Sequence, residues 1–334
     1  MRALSRALSY NHCLSFENIL YMDKPFNTIK EATTELAAVL IAVTDSEAKV
    51  LTVEQGTSLP NGPLDPIHRS LQAGVRQWVE TQTQQSLGYV EQLYTLVDTN
   101  RKTSSGHYLI YISYLGLVRE ETNHLGSQAT WLNWYQYFPW EDHRNGRPSF
   151  IDTELLPIFK HWINAGKTVA EQKSREQRVN LCWGLAPFSW NEEYVLQRYE
   201  LMYEVGILPE NMAQNVILPK EYCGQSMVHD HRRVLASAMA RLRAKIKYRP
   251  VIFELMAPTF TLFQLQQSIE ALGGITLHKQ NFRRFIIQQD LIEETGEMDP
   301  TGPGRPARLY QFRDDVLLER SLSGSKLPIS RSFN

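Results

Sequence analysis

The sequence predicts a mixed α+β chain in three parts: a strand-rich N-terminal domain around one amphipathic helix, a helical connector, and a C-terminal domain of helices followed by two short strands. Three observations predict it. Apolar, β-rich runs recur between residues 35 and 118. Residues 151–163, 170–178 and 193–205 lack strand alternation and stop at Gly206 and Pro209. Residues 232–313 carry helical stripes and then two short runs around a Gly/Pro-rich loop.

The 334 residues are 43% apolar and 10% aromatic, enough to bury more than one core, which excludes a disordered chain. No window approaches the roughly 18 apolar residues of a membrane span, and the N-terminus lacks an apolar run of signal-peptide length, so the expected compartment is the cytoplasm. Cys13, Cys182 and Cys223 are too few and too scattered for a disulfide framework or a metal knuckle and read as reduced thiols.

Taken in order, residues 1–28 lack periodicity and read as an extension. Residues 35–44 form an apolar strand, and Asp45, Ser46 and Glu47 turn it into a second run at 48–53, a hairpin. A loop with Gly56, Pro60, Gly62, Pro63 and Pro66 leads to a helix from Ile67, on which Leu71, Val75, Trp78 and Val79 share a stripe. Apolar runs at 89–97 and 108–118 flank a polar loop. Trp131, Trp134, Tyr135, Tyr137, Phe138 and Trp140 read as core or interface.

In the C-terminal part, residues 232–247 put Val234, Leu235, Ala238, Leu242 and Ile246 on one stripe and Arg233, Arg241, Arg243, Lys245 and Lys247 on a basic face. After a second apolar segment at 251–256, Thr259 or Thr261 caps a helix through Leu262, Leu265, Ile269 and Leu272. Gly273 and Gly274 break it. The next helix turns Phe282, Phe285 and Ile286 inward and exposes His278, Lys279, Gln280, Asn281, Arg283, Arg284 and Gln288. This is a helix-turn-helix whose free face carries the amide and guanidinium groups that pair with base edges. Runs at 291–296 and 307–312 around a Gly/Pro-rich loop form a wing, with Arg305 at its tip between Gly304 and Pro306.

Charge distribution agrees. Residues 230–313 hold 13 Lys+Arg against 8 Asp+Glu, a surplus of five in a chain whose net charge is −1. The expected DNA contacts are Thr261 and Gln264 to phosphate, His278, Lys279, Gln280, Asn281, Arg283 and Arg284 in the major groove, and Arg305 and Arg308 from the wing. Winged helices commonly bind palindromic operators as dimers, so a homodimer on double-stranded DNA is expected.

These residues resemble the Nudix-related transcriptional regulator family. The resemblance is carried by His231-Arg232-Arg233, Thr261-Leu262 with Leu265-Gln266, Asn281-Phe282-Arg283-Arg284, Glu293-Glu294-Thr295-Gly296 and Gly304-Arg305-Pro306-Ala307-Arg308-Leu309-Tyr310. In the connector, Arg198-Tyr199-Glu200-Leu201-Met202-Tyr203-Glu204-Val205-Gly206 also fits. Roughly residues 30–140 and 195–313 are covered. The inserted stretch from 141 to 195 resembles the alphaproteobacterial branch of NadQ-type regulators of NAD synthesis. The resemblance implies a Nudix-like α/β/α sandwich at 29–140, a connector at 141–228, a winged helix-turn-helix domain at 229–315 and a tail at 316–334. It also implies a repressor of NAD biosynthesis genes whose effector is an adenine nucleotide such as NAD, ADP-ribose or ATP.

The Nudix signature gathers glutamates on one helix face to hold Mg²⁺ against a pyrophosphate. Threaded here it keeps Gly62, Arg76, Trp78 and Glu80, but the glutamate positions read His68, Gln77, Glu80 and Thr81. One carboxylate is a poor metal cage. The expectation is no enzyme, no catalytic residue and no metal site, with Gly62, Arg76 and Glu80 left as nucleotide-binding candidates. A bland role for Arg76 and Glu80 is an ion pair four residues apart. His68 and the pair His229 and His231 lack the further ligands of a metal site. Two rivals stand beside this reading: a pyrophosphohydrolase with unconventional carboxylates, and a winged helix used only for protein interaction.

Overall fold

The computed structural model describes residues 32–88, 90–102, 108–120, 125–211, 217–248, 251–300 and 306–314. The expected extension at 1–28, the tail at 316–334 and the wing-tip Arg305 lie outside them.

Strand β1 (Ala32–Thr44) and β2 (Glu47–Thr52) form the expected hairpin, with Thr44 opposite Glu47. Asp45 and Ser46 both take positive φ, 54° and 61°, the pair of left-handed residues that a tight turn matched to strand twist requires. Then come β3 (Asn61–Pro63), α1 (Leu71–Thr83), β4 (Val90–Lys102), β5 (Tyr108–Leu117) and β6 (Thr130–Asn133). The sheet runs β4-β5-β1-β2-β6, with β3 paired to β1. β1 and β5 are parallel, and the other pairs are antiparallel. Neither β3 nor β6 was expected, because three or four residues show no alternation.

Central β1 is buried on both faces. Leu36, Ala38, Leu40 and Ala42 pack with Val75 and Val79 of α1. Val39 and Ile41 point the other way, into a second and larger core. Over that face lies α6 (His231–Tyr248), through Val234, Leu235, Ala238 and Met239. The result is a three-layer α/β/α sandwich.

The connector helices are α2 (Leu156–Asn164, preceded by a π-helical turn at Ile151–Leu155), α3 (Val169–Trp183), α4 (Val195–Val205) and the short α5 (Lys220–Cys223). Phe159, Trp183, Tyr199 and Met202 share the larger core with Trp134, Phe138 and Trp140. The connector is therefore packed into the body, not strung between bodies.

The C-terminal head contains β7 (Phe260–Thr261), α7 (Leu262–Gly273), α8 (Lys279–Gln288), β8 (Ile292–Asp299) and β9 (Ala307–Phe312), with sheet order β7-β9-β8. Helix, strand, helix, helix and two strands is the winged-helix order. Phe260, Leu265, Leu272, Phe282, Ile286 and Phe312 join the same core as the connector and the sheet, and α7 also touches β1 and β2.

Two expectations need correction. Arg243 is not on a solvated basic face: it is 3% exposed, because its guanidinium meets a buried carboxylate. Phe285 does not face inward: it is 54% exposed, because the buried seam of α8 is narrow and holds only Phe282 and Ile286.

Candidate nucleic-acid interface

α7 opens with a reciprocal cap. Thr261 Oγ1 accepts from the Gln264 backbone N–H at 3.2 Å, and Gln264 Oε1 accepts from the Thr261 N–H at 2.7 Å. α7 ends at Gly274, φ 65°, whose N–H bonds the Glu270 carbonyl at 2.9 Å. The turn beyond is held by Glu270, whose carboxylate accepts from the Leu277 N–H at 2.7 Å and from Gln266 Nε2 at 2.9 Å. Gln266 Nε2 also donates to the Leu277 carbonyl. These bonds fix where α8 starts.

On α8, the candidates Lys279, Gln280, Asn281, Arg283 and Arg284 are exposed, as is His278 at the cap position. The helix contains no acidic residue, and among the described residues Lys279, Arg283 and Arg284 meet no carboxylate. The basic residues of α6 behave differently: Arg233 pairs with Glu200, Arg241 and Lys245 pair with Glu91, and Arg243 is buried. Helical periodicity gives both helices a basic stripe, but among the described residues only that of α8 is without carboxylate partners.

In the wing, Arg308 is exposed and donates to Glu294 Oε1 at 2.6 Å, a bond that holds its guanidinium above the ordinary range. Tyr310 Oη lies 3.3 Å from the same oxygen. Burial and the neighbouring Glu294 carboxylate raise the Tyr310 phenol. Of the two expected phosphate contacts, Gln264 is exposed, whereas Thr261 is 6% exposed with its hydroxyl engaged in the cap. Thr261 thus positions the start of α7.

Of the N-terminal candidates, Gly62 lies on β3, and Arg76 and Glu80 lie on α1. A Cβ at Gly62 would run into the Trp78 ring, so the glycine is there for the close approach of β3 to α1. Arg76 donates to the carbonyls of Leu87 and, at 2.6 Å, Gly88. It ties down the segment after α1 and does not pair with Glu80, which is exposed. His68 Nδ1 accepts from the Asp65 N–H at 3.1 Å, and its ring meets Trp78 edge-on. His231 is buried, its Nδ1 accepting from the Leu59 N–H at 3.0 Å, and burial lowers its pKa from 6.5 to about 3. Among the described residues no three His, Cys, Asp or Glu side chains stand close enough to hold a metal ion.

One cluster that periodicity did not single out joins head to body. Glu141, 1% exposed, accepts from Arg198 Nε at 2.6 Å and Nη2 at 2.8 Å, and from Arg243 Nη1 at 2.7 Å. Burial alone would raise its carboxyl, but the two guanidinium groups outweigh that and hold it low. Arg243 also donates to the Leu272 carbonyl at 3.0 Å, and Tyr135 Oη donates to the Ala271 carbonyl at 2.7 Å, so the last turn of α7 is bonded to the body. The Gly274 carbonyl accepts from the His143 N–H at 2.8 Å, and Thr276 Oγ1 donates to the Arg144 carbonyl at 2.7 Å.

Residues 252–312 match the family described as the NrtR DNA-binding winged helix domain. A curated relative, the ADPR responsive transcriptional repressor NtrR of Acinetobacter baylyi, is 41% identical over 86 residues, 26% of this chain. The match spans about a third of that relative's length, 34%. Among solved structures, Shewanella oneidensis NrtR complexed with a 27-mer DNA is similar at 22% identity and TM-score 0.49, over 85% of this chain and 94% of that one. The NUDIX domain of the same protein complexed with ADP ribose is similar at 24% identity and TM-score 0.29, over 33% of this chain and 78% of that one. The matched residues run from Ile252 through β9 and so take in both α7 and the α8 face.

Proposed function

We propose that the chain is a DNA-binding transcriptional repressor whose NrtR-type winged helix reads an operator and whose N-terminal sheet domain binds an adenine nucleotide. The observation that carries this reading is α8, a helix in a winged-helix domain with three unpaired cations among the described residues and no acid. The phosphate backbone demands positive charge, and exposed Arg, Asn and Gln supply bidentate donors to base edges. The acting residues are Lys279, Gln280, Asn281, Arg283 and Arg284 on α8, His278 at its start, Gln264 on α7, and Arg308 with Arg305 on the wing.

The protein works as a homodimer in the cytoplasm, on genes of NAD biosynthesis, and is divided as 29–140, 141–228 and 229–315. Of the effectors NAD, ADP-ribose and ATP, ADP-ribose takes precedence because the curated relative is named as ADPR responsive. The nucleotide controls DNA binding by binding the DNA-competent and DNA-incompetent states with different affinity. With Glu80 the one carboxylate of α1, the domain senses and does not hydrolyse.

Gel shifts with the DNA upstream of the gene test the reading. Arg283→Ala, an exposed position, weakens binding by about 1–3 kcal/mol if it makes a bidentate base contact, and one of the three nucleotides shifts the complex. Absence of binding by the wild type at physiological salt rejects the repressor. Mg²⁺-dependent turnover of ADP-ribose at ordinary enzyme rates rejects the sensor role in favour of a hydrolase.

A further inference from the structure

The exposed arc of α8 is not wholly polar. Ile287 is 59% exposed on a helix whose buried residues are Phe282 and Ile286. At about 100° per residue, the direction opposite that seam is occupied by Gln280, Arg284 and Gln288, and Ile287 falls between Arg283 and Arg284. Its neighbours one turn back are thus Arg283 at four residues and Arg284 at three, and Gln280 lies two turns back at seven. A surface for an apolar protein partner needs contiguous apolar neighbours, and this position has two guanidinium groups and an amide instead. The flanking charge fits a polyanion.

We infer that Ile287 reads the 5-methyl group of a thymine in the major groove, so that each half-site holds a thymine beside the bases contacted by Arg283, Arg284 and Gln280. This rests on the proposed DNA-binding function. In the major groove the thymine methyl is the one apolar group on a base edge, and an aliphatic side chain placed among polar readers is suited to it. The side chain is stiff at χ1, so it presents its methyl groups without much rotamer freedom to lose.

The test uses duplexes selected by the full-length wild-type protein from a randomised library, with each thymine replaced in turn by deoxyuridine, which pairs identically but lacks the methyl. Binding is measured by fluorescence anisotropy for the wild type, Ile287→Ala and Ile287→Val. The expected result is one position per half-site where uracil weakens wild-type binding about 3- to 10-fold, the scale of one buried methyl. At that position Ile287→Ala discriminates less than about twofold, and Ile287→Val keeps most of the preference. Wild-type binding indifferent to uracil at every position overturns the inference while leaving DNA recognition intact, as does a preference undiminished in Ile287→Ala. Failure of the wild type to select any duplex overturns the proposed function and this inference together.

Discussion

Arg243 Nη1 and Glu141 Oε2 meet at 2.7 Å where neither residue is more than 3% exposed, and the same carboxylate is held by Arg198. Two cations and one anion are buried together. Removing Glu141 leaves two facing cations in a low-dielectric interior, at a loss of about 3–5 kcal/mol, whereas removing Arg243 leaves a balanced Arg198–Glu141 pair and strips a donor from the Leu272 carbonyl. Glu141→Gln is expected to lower the unfolding free energy by that amount in urea titrations, and Arg243→Met by about 1–3 kcal/mol for the carbonyl left without its donor. A change below about 1 kcal/mol in both would refute the role given to this cluster.

Gly274 sits where that cluster meets the helix turn. It takes φ 65°, and a Cβ there would collide with the Glu141 carbonyl oxygen and crowd Arg243 Nη2 at 2.9 Å. Gly274→Ala is expected to destabilise by about 2 kcal/mol or more, because backbone strain and a steric clash add. Gly296→Ala is the control: it also has positive φ, 82°, but nothing lies within 4 Å of its Cβ. Thermal unfolding of the two variants should separate clash from conformation, with Gly274→Ala the lower in Tm. Equal Tm values would show that the close approach is relieved at no cost.

The wing holds an internal competitor for DNA. Arg308 is bonded to Glu294, and a phosphate must displace that carboxylate to reach it. Glu294→Gln is expected to tighten DNA binding about two- to fivefold at low salt, an advantage that fades as salt screens the charges. Arg308→Ala should weaken binding and flatten its salt dependence. Anisotropy titrations at several salt concentrations decide the matter, and identical curves for wild type and Glu294→Gln would remove Arg308 from the interface.

His231 gives the fold a dependence on pH. Its folded pKa, about 3, lies below its ordinary 6.5, so between those values the unfolded chain binds a proton that the folded chain does not. Stability from this residue is intact above 6.5 and falls as pH drops through the window, by about 1.4 kcal/mol per unit for one proton. Glu141 adds a loss of the same sign further down, since its folded carboxyl lies below 4.5. His231→Asn, which keeps an acceptor for the Leu59 N–H, is expected to unfold with a flatter stability profile between pH 6.5 and about 4. Parallel profiles for the two proteins would mean that His231 titrates alike in the folded and unfolded states.

Much of this was legible in the sequence where local chemistry decides the structure. The hairpin could be read because Asp45 and Ser46 tolerate left-handed backbone between apolar runs. α7 could be placed because Thr261 caps it and Gly274 ends it. The α8 face could be read because Lys279, Arg283 and Arg284 are cations with no acidic neighbour on their own helix. What escaped depends on partners distant in sequence. Arg243 looks solvated until Glu141, 102 positions away, is brought against it. The structural contacts of Arg76 with Leu87 and Gly88, and of Gly62 with Trp78, could not be read from the signature spacing. Phe285 looks internal on a helical wheel, which says nothing of how wide a strip the neighbouring elements cover.

The unbroken core through sheet, connector and winged helix restricts how such a molecule can respond to a small effector. With the end of α7 bonded to the body on several sides, each protomer lacks a lever arm on which the reading helix could swing by itself. In the homodimer proposed above, the distance between two α8 helices then changes when one protomer as a whole rolls against the other, so substitutions that alter the response to nucleotide without touching it should collect where the two copies meet.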